Sequence, residues 1–152
     1  MKIAILGSGG REHAIAVTIS KSSKIENIYC IPGNAGTLEI AKNIDIDINN
    51  FQALHKFIDE NKIDLVVIGP EQPLVNGIVD YLEKFNIKVF GPNKIASQLE
   101  GSKIFTKKLC EEYNIPTAKF AVLENKLDAK KFLENSKYPN VIKADNLASG
   151  KG

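Results

Sequence analysis

Apolar residues along the first hundred positions alternate between short strand-like runs and helical spacing. Short apolar or alternating runs predict strands at residues 2–6, 25–31, 44–48, 64–68 and 87–90. Apolar positions three and four residues apart predict helices at residues 11–20, 51–58 and 75–82. Strands separated by helix-length segments form a parallel sheet through right-handed crossovers, with helices on both faces. The pattern therefore predicts an α/β domain with a doubly wound parallel sheet over residues 1–101.

The pattern changes after Gly101, where a second structural unit is predicted over residues 102–152. Helices are expected at residues 103–113 and 127–133, and strands at 117–122 and 141–144. The last strand leads into a loop of small residues and glycines at 146–152, beyond which a partner strand is normally found. We therefore expect the chain to stop inside this unit and to leave an unpaired strand edge, through which it could self-associate.

Composition and charge narrow the classes of function. The 152 residues carry a net charge of +2, and the 20 basic and 18 acidic residues are spread along the chain. Nucleic-acid binding needs a clustered basic surface, so it is not expected. No apolar run approaches the roughly 18 residues of a membrane span, and no signal peptide is apparent, which predicts a cytoplasmic protein. Cys30 and Cys110 form no metal-type cluster and are expected as free thiols.

A glycine-rich turn directly follows the first predicted strand and opens a helix. Its residues are Gly7, Ser8, Gly9, Gly10, Arg11 and Glu12. The unpaired N–H groups and positive dipole of a helix start favour an anion, and glycines allow the anion to approach closely. A guanidinium beside the turn suits forked contact with phosphate oxygens. The turn therefore predicts a phosphate-binding site.

A dinucleotide-binding Rossmann motif is the alternative interpretation of this turn. After Gly7 and Gly9, that motif requires a third glycine at position 12, where this chain has Glu12. It also requires an acidic residue at the end of the second strand, which here ends in Cys30-Ile31-Pro32. Two mismatches argue against a nicotinamide cofactor but leave this alternative open.

Further motifs extend the argument over the whole chain. In order, they are Gly7 to Ala14, Pro32-Gly33-Asn34-Ala35-Gly36, Gly69 to Val75, Phe90-Gly91-Pro92, Gln98 to Lys103, Ile115-Pro116-Thr117-Ala118 and Val141 to Asp145. Any one of these segments is common, whereas the ordered set is specific. The set resembles the glycinamide ribonucleotide synthetase family, also called phosphoribosylamine–glycine ligases.

The resemblance implies an ATP-grasp ligase of de novo purine biosynthesis. Such an enzyme uses ATP and Mg²⁺ to join glycine to 5-phosphoribosylamine, giving glycinamide ribonucleotide, ADP and phosphate. Residues 1–101 would be the Rossmann-like domain that binds phosphoribosylamine, and residues 102–152 the beginning of the ATP-grasp domain. The metal ligands and most of the catalytic centre are expected beyond Gly152. We therefore assign no catalytic or metal-binding residue to the chain and expect it to be inactive alone.

The resemblance also implies two sets of binding residues. The phosphoribosyl substrate would be held by Gly9, Gly10, Arg11, Glu12, Asn34, Pro70 and Glu71. ATP would be held by Lys103, Lys143, Ser149, Gly150, Lys151 and Gly152. Two positions depart from the family pattern, since Asn146 stands where glycine is typical and Ser149 where alanine is typical. Asn tolerates a left-handed backbone, so the turn can still form.

Three other functions stay open at this point. One is the N-terminal domain of another ATP-grasp enzyme, against which the run Gly9-Gly10-Arg11-Glu12-His13 argues. Another is the nucleotide- or NAD-binding Rossmann domain considered above. The last is a non-catalytic module whose first domain captures a phosphoribosyl compound.

Overall fold

The structure, a computed structural model, describes residues 1–148 and divides into two compact units, Met1–Ser97 and Gln98–Gly152. The strands described in the first unit are β1 (Lys2–Gly7), β2 (Asn27–Pro32), β3 (Lys42–Asn43), β4 (Leu65–Ile68) and β5 (Val89–Phe90). Its helices are α1 (Gly10–Ser20), α2 (Phe51–Asn61), α3 (Glu71–Asn76) and α4 (Ile78–Glu83), with a 3₁₀ turn at Thr37–Glu39.

The strands form one parallel sheet in the order β3-β2-β1-β4-β5. This order confirms the doubly wound α/β fold expected from the sequence. Leu6 lies opposite Ile31 of β2 and Ile68 of β4, so three strands end at the same edge of the sheet. The chain winds in opposite directions from β1 toward β2 and toward β4. Ligands of open α/β sheets bind in the crevice at such a reversal, beyond the carboxyl ends of the strands.

Both faces of the sheet are buried, and the apolar residues of β1 point alternately to the two faces. Ala4 and Leu6 belong to a core cluster with residues of α2 and α4, whereas Ile3 and Ile5 belong to a cluster with Ala16 of α1. Burial on two faces explains why the strand sequences are nearly continuous apolar runs.

The predicted helix at 75–82 is corrected in its bounds. The chain becomes helical at Glu71, directly after Pro70, and the helix is interrupted at Gly77, which has a left-handed φ of 91°. The N–H of Gly77 donates to Leu74 O and closes α3. Since L-residues with a side chain rarely adopt this φ, glycine at position 77 divides the segment into α3 and α4.

The predicted strand at 44–48 is wrong. The strand ends at Asn43, and after a last hydrogen bond from Ile44 N to Cys30 O of β2 the chain leaves the sheet. Ile44, Ile46 and Ile48 are partly buried against the core cluster that contains α2 and α4 residues. One-sided burial of an extended loop therefore produces the same alternation of apolar and polar residues as a strand does.

In the second unit, the described helices are α5 (Gln98–Gly101), α6 (Lys103–Glu112) and α7 (Lys126–Asn135). The side chain of Ser102 accepts a hydrogen bond from Phe105 N at the start of α6. Asn125 accepts from the N–H groups of Leu127 and Asp128 at the start of α7. Both predicted helices are confirmed. No helix in the described part of the chain is long and apolar enough to cross a membrane.

The strands predicted at 117–122 and 141–144 are wrong, because neither segment is a strand in the structure. Lys107 Nζ instead donates to Thr117 Oγ1 and to Ala118 O. Val141 and Ile142 are 81% and 83% exposed. A strand requires a partner for its N–H and C=O groups, and apolar sequence alone does not supply one. The strand edge expected to support self-association is therefore not present among the described residues.

Candidate functional site

A cavity of about 400 Å³ opens at the carboxyl ends of β1 and β4. It is lined by Gly7, Ser8, Gly9, Gly10, Arg11, Glu12, Ile48, Pro70 and Glu71. The cavity thus brings together two predicted segments that are about sixty residues apart in the sequence. Its volume is in the range of small-molecule sites. Three lining residues are not in the predicted substrate-binding set: Gly7 and Ser8 of the glycine-rich turn, and Ile48 of the segment predicted as a strand.

The wall of the cavity includes the N-terminus of α1. Gly9 is the N-cap residue with an extended backbone, and the helix begins at Gly10. The N–H groups of a first helical turn have no partner within the helix, and they carry the positive end of its dipole. Gly7 has a φ of +122°, and a Cβ there would overlap the side chain of Glu12. The turn therefore needs glycine at position 7 to bring the helix start to the cavity.

Glu12 lies beneath the turn as a buried residue, 4% exposed. Its Oε2 accepts a hydrogen bond of 2.6 Å from Gly9 N. A Cβ placed on Gly69 would overlap Glu12 Oε1, so the carboxylate packs directly against the end of β4. These contacts make Glu12 a support of the turn, and its predicted contact with the phosphoribosyl substrate stays a prediction.

Arg11 joins the glycine-rich turn to the segment after β4. Its guanidinium donates to Gly69 O and to Glu71 Oε1, the latter at 2.8 Å. The hydrogen bond from Arg11 holds the pKa of Glu71 below its usual value, and the backbone N–H of Glu71 acts in the same direction. The side chains are 58% and 42% exposed, so this ion pair is accessible to a ligand in the cavity.

Asn34 supports the turn from the side of β2 and is not among the lining residues. Its Nδ2 donates to Ser8 O at 3.0 Å and to Gly9 O at 3.2 Å. Its Oδ1 accepts from Thr37 N at 3.0 Å. The side chain predicted to contact substrate is therefore engaged with the backbone of two loops.

The two described lysines predicted to bind ATP lie in the second unit. Lys103 Nζ donates to Asn146 O at 2.8 Å, while Lys143 is exposed. The Asp145 carboxylate accepts from Ile104 N and from Ser102 Oγ, and the first of these bonds lowers the pKa of Asp145. Asp145 thus brings the segment of Lys143 to the start of α6. Asp145 ends one of the motifs that carry the family resemblance, which assigns it no role.

The remaining predicted ATP-binding residues lie outside the described residues; they are Ser149, Gly150, Lys151 and Gly152. Within residues 1–148, no group of three or more His, Cys, Asp or Glu side chains could hold a metal ion. A larger open groove of about 580 Å³ lies in the second unit, between residues 110 and 120. It contains none of the predicted site residues.

Solved structures resemble the chain over most or all of its length. A crystal structure of phosphoribosylamine–glycine ligase from Thermotoga maritima aligns with a TM-score of 0.79 and 36% identity, covering 100% of this chain and 35% of that chain. The N5-carboxyaminoimidazole synthetase of Staphylococcus aureus aligns with a TM-score of 0.74 at 18% identity, covering 97% of this chain and 39% of that chain. The second similarity supports the fold alone.

Sequence comparisons identify the family. Proteins named phosphoribosylamine–glycine ligase from Caldanaerobacter subterraneus and Mesorhizobium japonicum are 48% and 51% identical over 152 residues. The alignments cover 100% of this chain and 36% of each relative, so the chain spans about a third of the relatives' length. The model of the phosphoribosylglycinamide synthetase N domain matches residues 1–100, and that of the ATP-grasp (A) domain matches residues 101–152. The chain therefore belongs to the phosphoribosylglycinamide synthetase family.

Proposed function

We propose that the protein is a phosphoribosylamine–glycine ligase of purine biosynthesis, acting in the cytoplasm. The reaction converts ATP, glycine and 5-phosphoribosylamine to glycinamide ribonucleotide, ADP and phosphate. The observation that carries the proposal is the cavity at the start of α1, where a glycine-rich turn and Arg11 meet the segment after β4. Membership in the family supports the same reaction.

The phosphoribosyl substrate is proposed to lie in this cavity with its phosphate at the first turn of α1. The backbone N–H groups of Gly10 and Arg11 are at the helix start, where an anion is favoured. Glu71 is proposed to accept hydrogen bonds from the ribose hydroxyls or the amine, next to Pro70. Gly9 and Asn34 contribute by holding the turn, because Asn34 donates to Gly9 O.

ATP is proposed to bind in the second domain through Lys103, Lys143 and the glycine-containing loop at 149–152. An ammonium group stabilises phosphate oxygens whose charge changes during transfer. Mg²⁺ would neutralise phosphate charge when bound, and we assign no described residue to it. We further propose domain limits of 1–101 and 102–152. The first compact unit ends at Ser97, and the second family match begins at residue 101.

The phosphate site is tested by calorimetric titration of the chain with ribose 5-phosphate and with NAD. We expect ribose 5-phosphate to bind, and we expect no binding of NAD. Arg11→Met should lower the affinity for ribose 5-phosphate by about 10- to 100-fold, the usual loss when a hydrogen bond to a charged group is removed. Lys21→Met removes the same charge at the opposite end of α1 and should leave the affinity unchanged. Binding of NAD but not of ribose 5-phosphate would overturn the proposal.

The nucleotide site is tested separately by calorimetric titration of the chain with ATP, because we expect no product from the chain alone in an assay with ATP, glycine and phosphoribosylamine. Lys103→Ala should raise the Kd for ATP, while Lys108→Ala, an exposed position of the same helix, should not. An unchanged Kd in the Lys103→Ala variant would remove Lys103 from the proposed ATP site.

A further inference from the structure

The cavity contains a buried carboxylate at a position where dinucleotide-binding turns have glycine. Counting from Gly7 and Gly9, the third glycine of that motif would be residue 12, which is Glu12. Glu12 lines the cavity and is 4% exposed. A carboxylate is seldom buried to this extent unless its oxygens are hydrogen-bonded or paired. Each carboxylate oxygen of Glu12 therefore needs either a hydrogen-bond donor or contact with solvent.

The two oxygens of Glu12 have different surroundings. Oε2 accepts from Gly9 N, whereas Oε1 accepts no hydrogen bond from the described residues. Every fully buried side-chain oxygen in the described part of the chain has a hydrogen-bond partner. Since Oε1 has none, it is not fully buried. Oε1 therefore retains contact with solvent, and Glu12 reaches solvent where it lines the cavity.

The guanidinium of Arg11 is directed at the segment after β4. Arg11 donates to Gly69 O and to Glu71 on α3, and no hydrogen bond joins it to Glu12 in the described structure. An ionised carboxylate is only an acceptor, so Oε1 can take a hydrogen bond only from a donor. A second phosphate group placed at Oε1 would be repelled.

We infer that Glu12 determines the specificity of this cavity by accepting a hydrogen bond, through Oε1, from an amine or hydroxyl group of a sugar monophosphate. The inference rests on the proposed function and adds a selecting residue to it. Oε2 stabilises the turn through its hydrogen bond from Gly9 N, while Oε1 favours ligands that carry a hydrogen-bond donor. The same charge disfavours the pyrophosphate of a dinucleotide at this helix start.

The test compares three phosphates that differ in their donors. Ribose 5-phosphate carries hydroxyl groups, a carbocyclic analogue of phosphoribosylamine carries hydroxyl groups and a stable amine, and tetrahydrofurfuryl phosphate has the ring and the phosphate without either. In calorimetric titrations of the unaltered chain, at least one donor-bearing probe should bind about tenfold or more tightly than tetrahydrofurfuryl phosphate. The tighter of the two identifies the preferred donor.

The variant Glu12→Gln separates selection from support of the turn. Glutamine can still accept from Gly9 N but loses the charge and presents an NH₂ group in place of one oxygen. The preference for the tighter donor-bearing probe should fall to within about threefold, while tetrahydrofurfuryl phosphate should bind as well as before or better, because a nearby negative charge is removed. Glu26→Gln makes the same change at the opposite edge of the sheet and should preserve the preference.

Each outcome decides the question. Equal binding of all three probes to the unaltered chain overturns the inference and leaves the phosphate site standing. Binding of none of them overturns both. A uniform loss for all probes in Glu12→Gln means that Glu12 only supports the turn. If that variant does not fold, as judged by circular dichroism, Glu71→Gln decides, because Glu71 lines the same cavity and can accept from the same donors. A preference that survives in Glu71→Gln supports Glu12 as the acceptor, and a preference that disappears overturns the inference.

Discussion

The two compact units differ in where their stabilising contacts come from. In Met1–Ser97, five parallel strands pair with one another, and apolar residues on both faces of the sheet are buried. In the described residues 98–148, no hydrophobic side chain is buried, and the helices begin at local caps. The first unit therefore depends on a core built from distant segments, whereas distant segments of the described part of the second meet through exposed hydrogen bonds such as those of Asp145.

Helices and strands differ in where their backbone hydrogen bonds are made, and this difference explains which of the predicted elements formed. A helix satisfies its backbone groups within one segment, so α6 and α7 formed where local spacing and caps predicted them. A strand satisfies its backbone groups on a neighbour. Four of the five apolar runs of the first unit found such neighbours, whereas the runs at 44–48, 117–122 and 141–144 did not.

The largest expected difference is between two leucines, one truncated in each unit. Leu54 is fully buried in the first unit, and Leu54→Ala should lower the free energy of unfolding by about 2–5 kcal/mol. Leu133 of α7 is 37% exposed, and Leu133→Ala should cost less than about 1 kcal/mol because little apolar area is lost. Chemical denaturation of both variants measures the difference. Equal losses would mean that the second unit has a core of comparable quality.

A smaller effect is expected at the junction beneath the cavity. Gly69→Ala places a Cβ on the Glu12 carboxylate and should destabilise the first unit by about 1–3 kcal/mol. Gly10→Ala is the matched control, since a Cβ there meets nothing within 4 Å and alanine favours a helix. Thermal unfolding compares the two variants. If Gly69→Ala is tolerated as well as Gly10→Ala, the close packing of Glu12 against β4 is wrong.

The local character of the second unit can be tested at a helix cap. Asn125 accepts from Leu127 N and Asp128 N, so Asn125→Ala should destabilise α7 by about 0.5–2 kcal/mol. Lys130→Ala, at an exposed position inside α7, should not weaken the helix. Amide hydrogen exchange of α7 should be faster in the first variant alone. Exchange in β1 should stay unchanged, and an equal rise there would contradict the separation between the units.

The smallest effect concerns the ion pair across the cavity. The pKa of Glu71 is lowered by Arg11, so the pair contributes fully above the usual value of 4.5 and is lost as the pH falls below it, through the folded pKa. The stabilisation is below about 1 kcal/mol because both side chains are partly exposed. Carbon-13 NMR titration of the Glu71 carboxyl should show a rise in its pKa in Arg11→Met. The pKa should not change in Lys21→Met, and a rise in both variants would exclude a specific pair.

Much of the fold could be predicted from neighbouring residues. The buried runs of β1 and β4, the helix start after the glycine-rich turn and the helices α2, α6 and α7 all follow from local spacing. The loop at 44–48 could not be distinguished from a strand, since alternating isoleucines indicate burial on one side but not the presence of a pairing partner. The division of the helix at Gly77 depends on a left-handed φ that the apolar spacing does not reveal.

The candidate site also has one part that follows from local sequence and another that depends on the tertiary structure. A glycine-rich turn at the end of a strand, followed by a helix and an arginine, is a local pattern, so the anion site is a prediction that the sequence makes by itself. The partners of that turn come from elsewhere. Arg11 meets Gly69 and Glu71, and Asn34 meets Gly9, after strand order has placed β1 between β2 and β4. Because contacts at long sequence separation exist only once the sheet is assembled, the burial of Glu12 and the shape of the cavity belong to the folded molecule rather than to any segment of the chain.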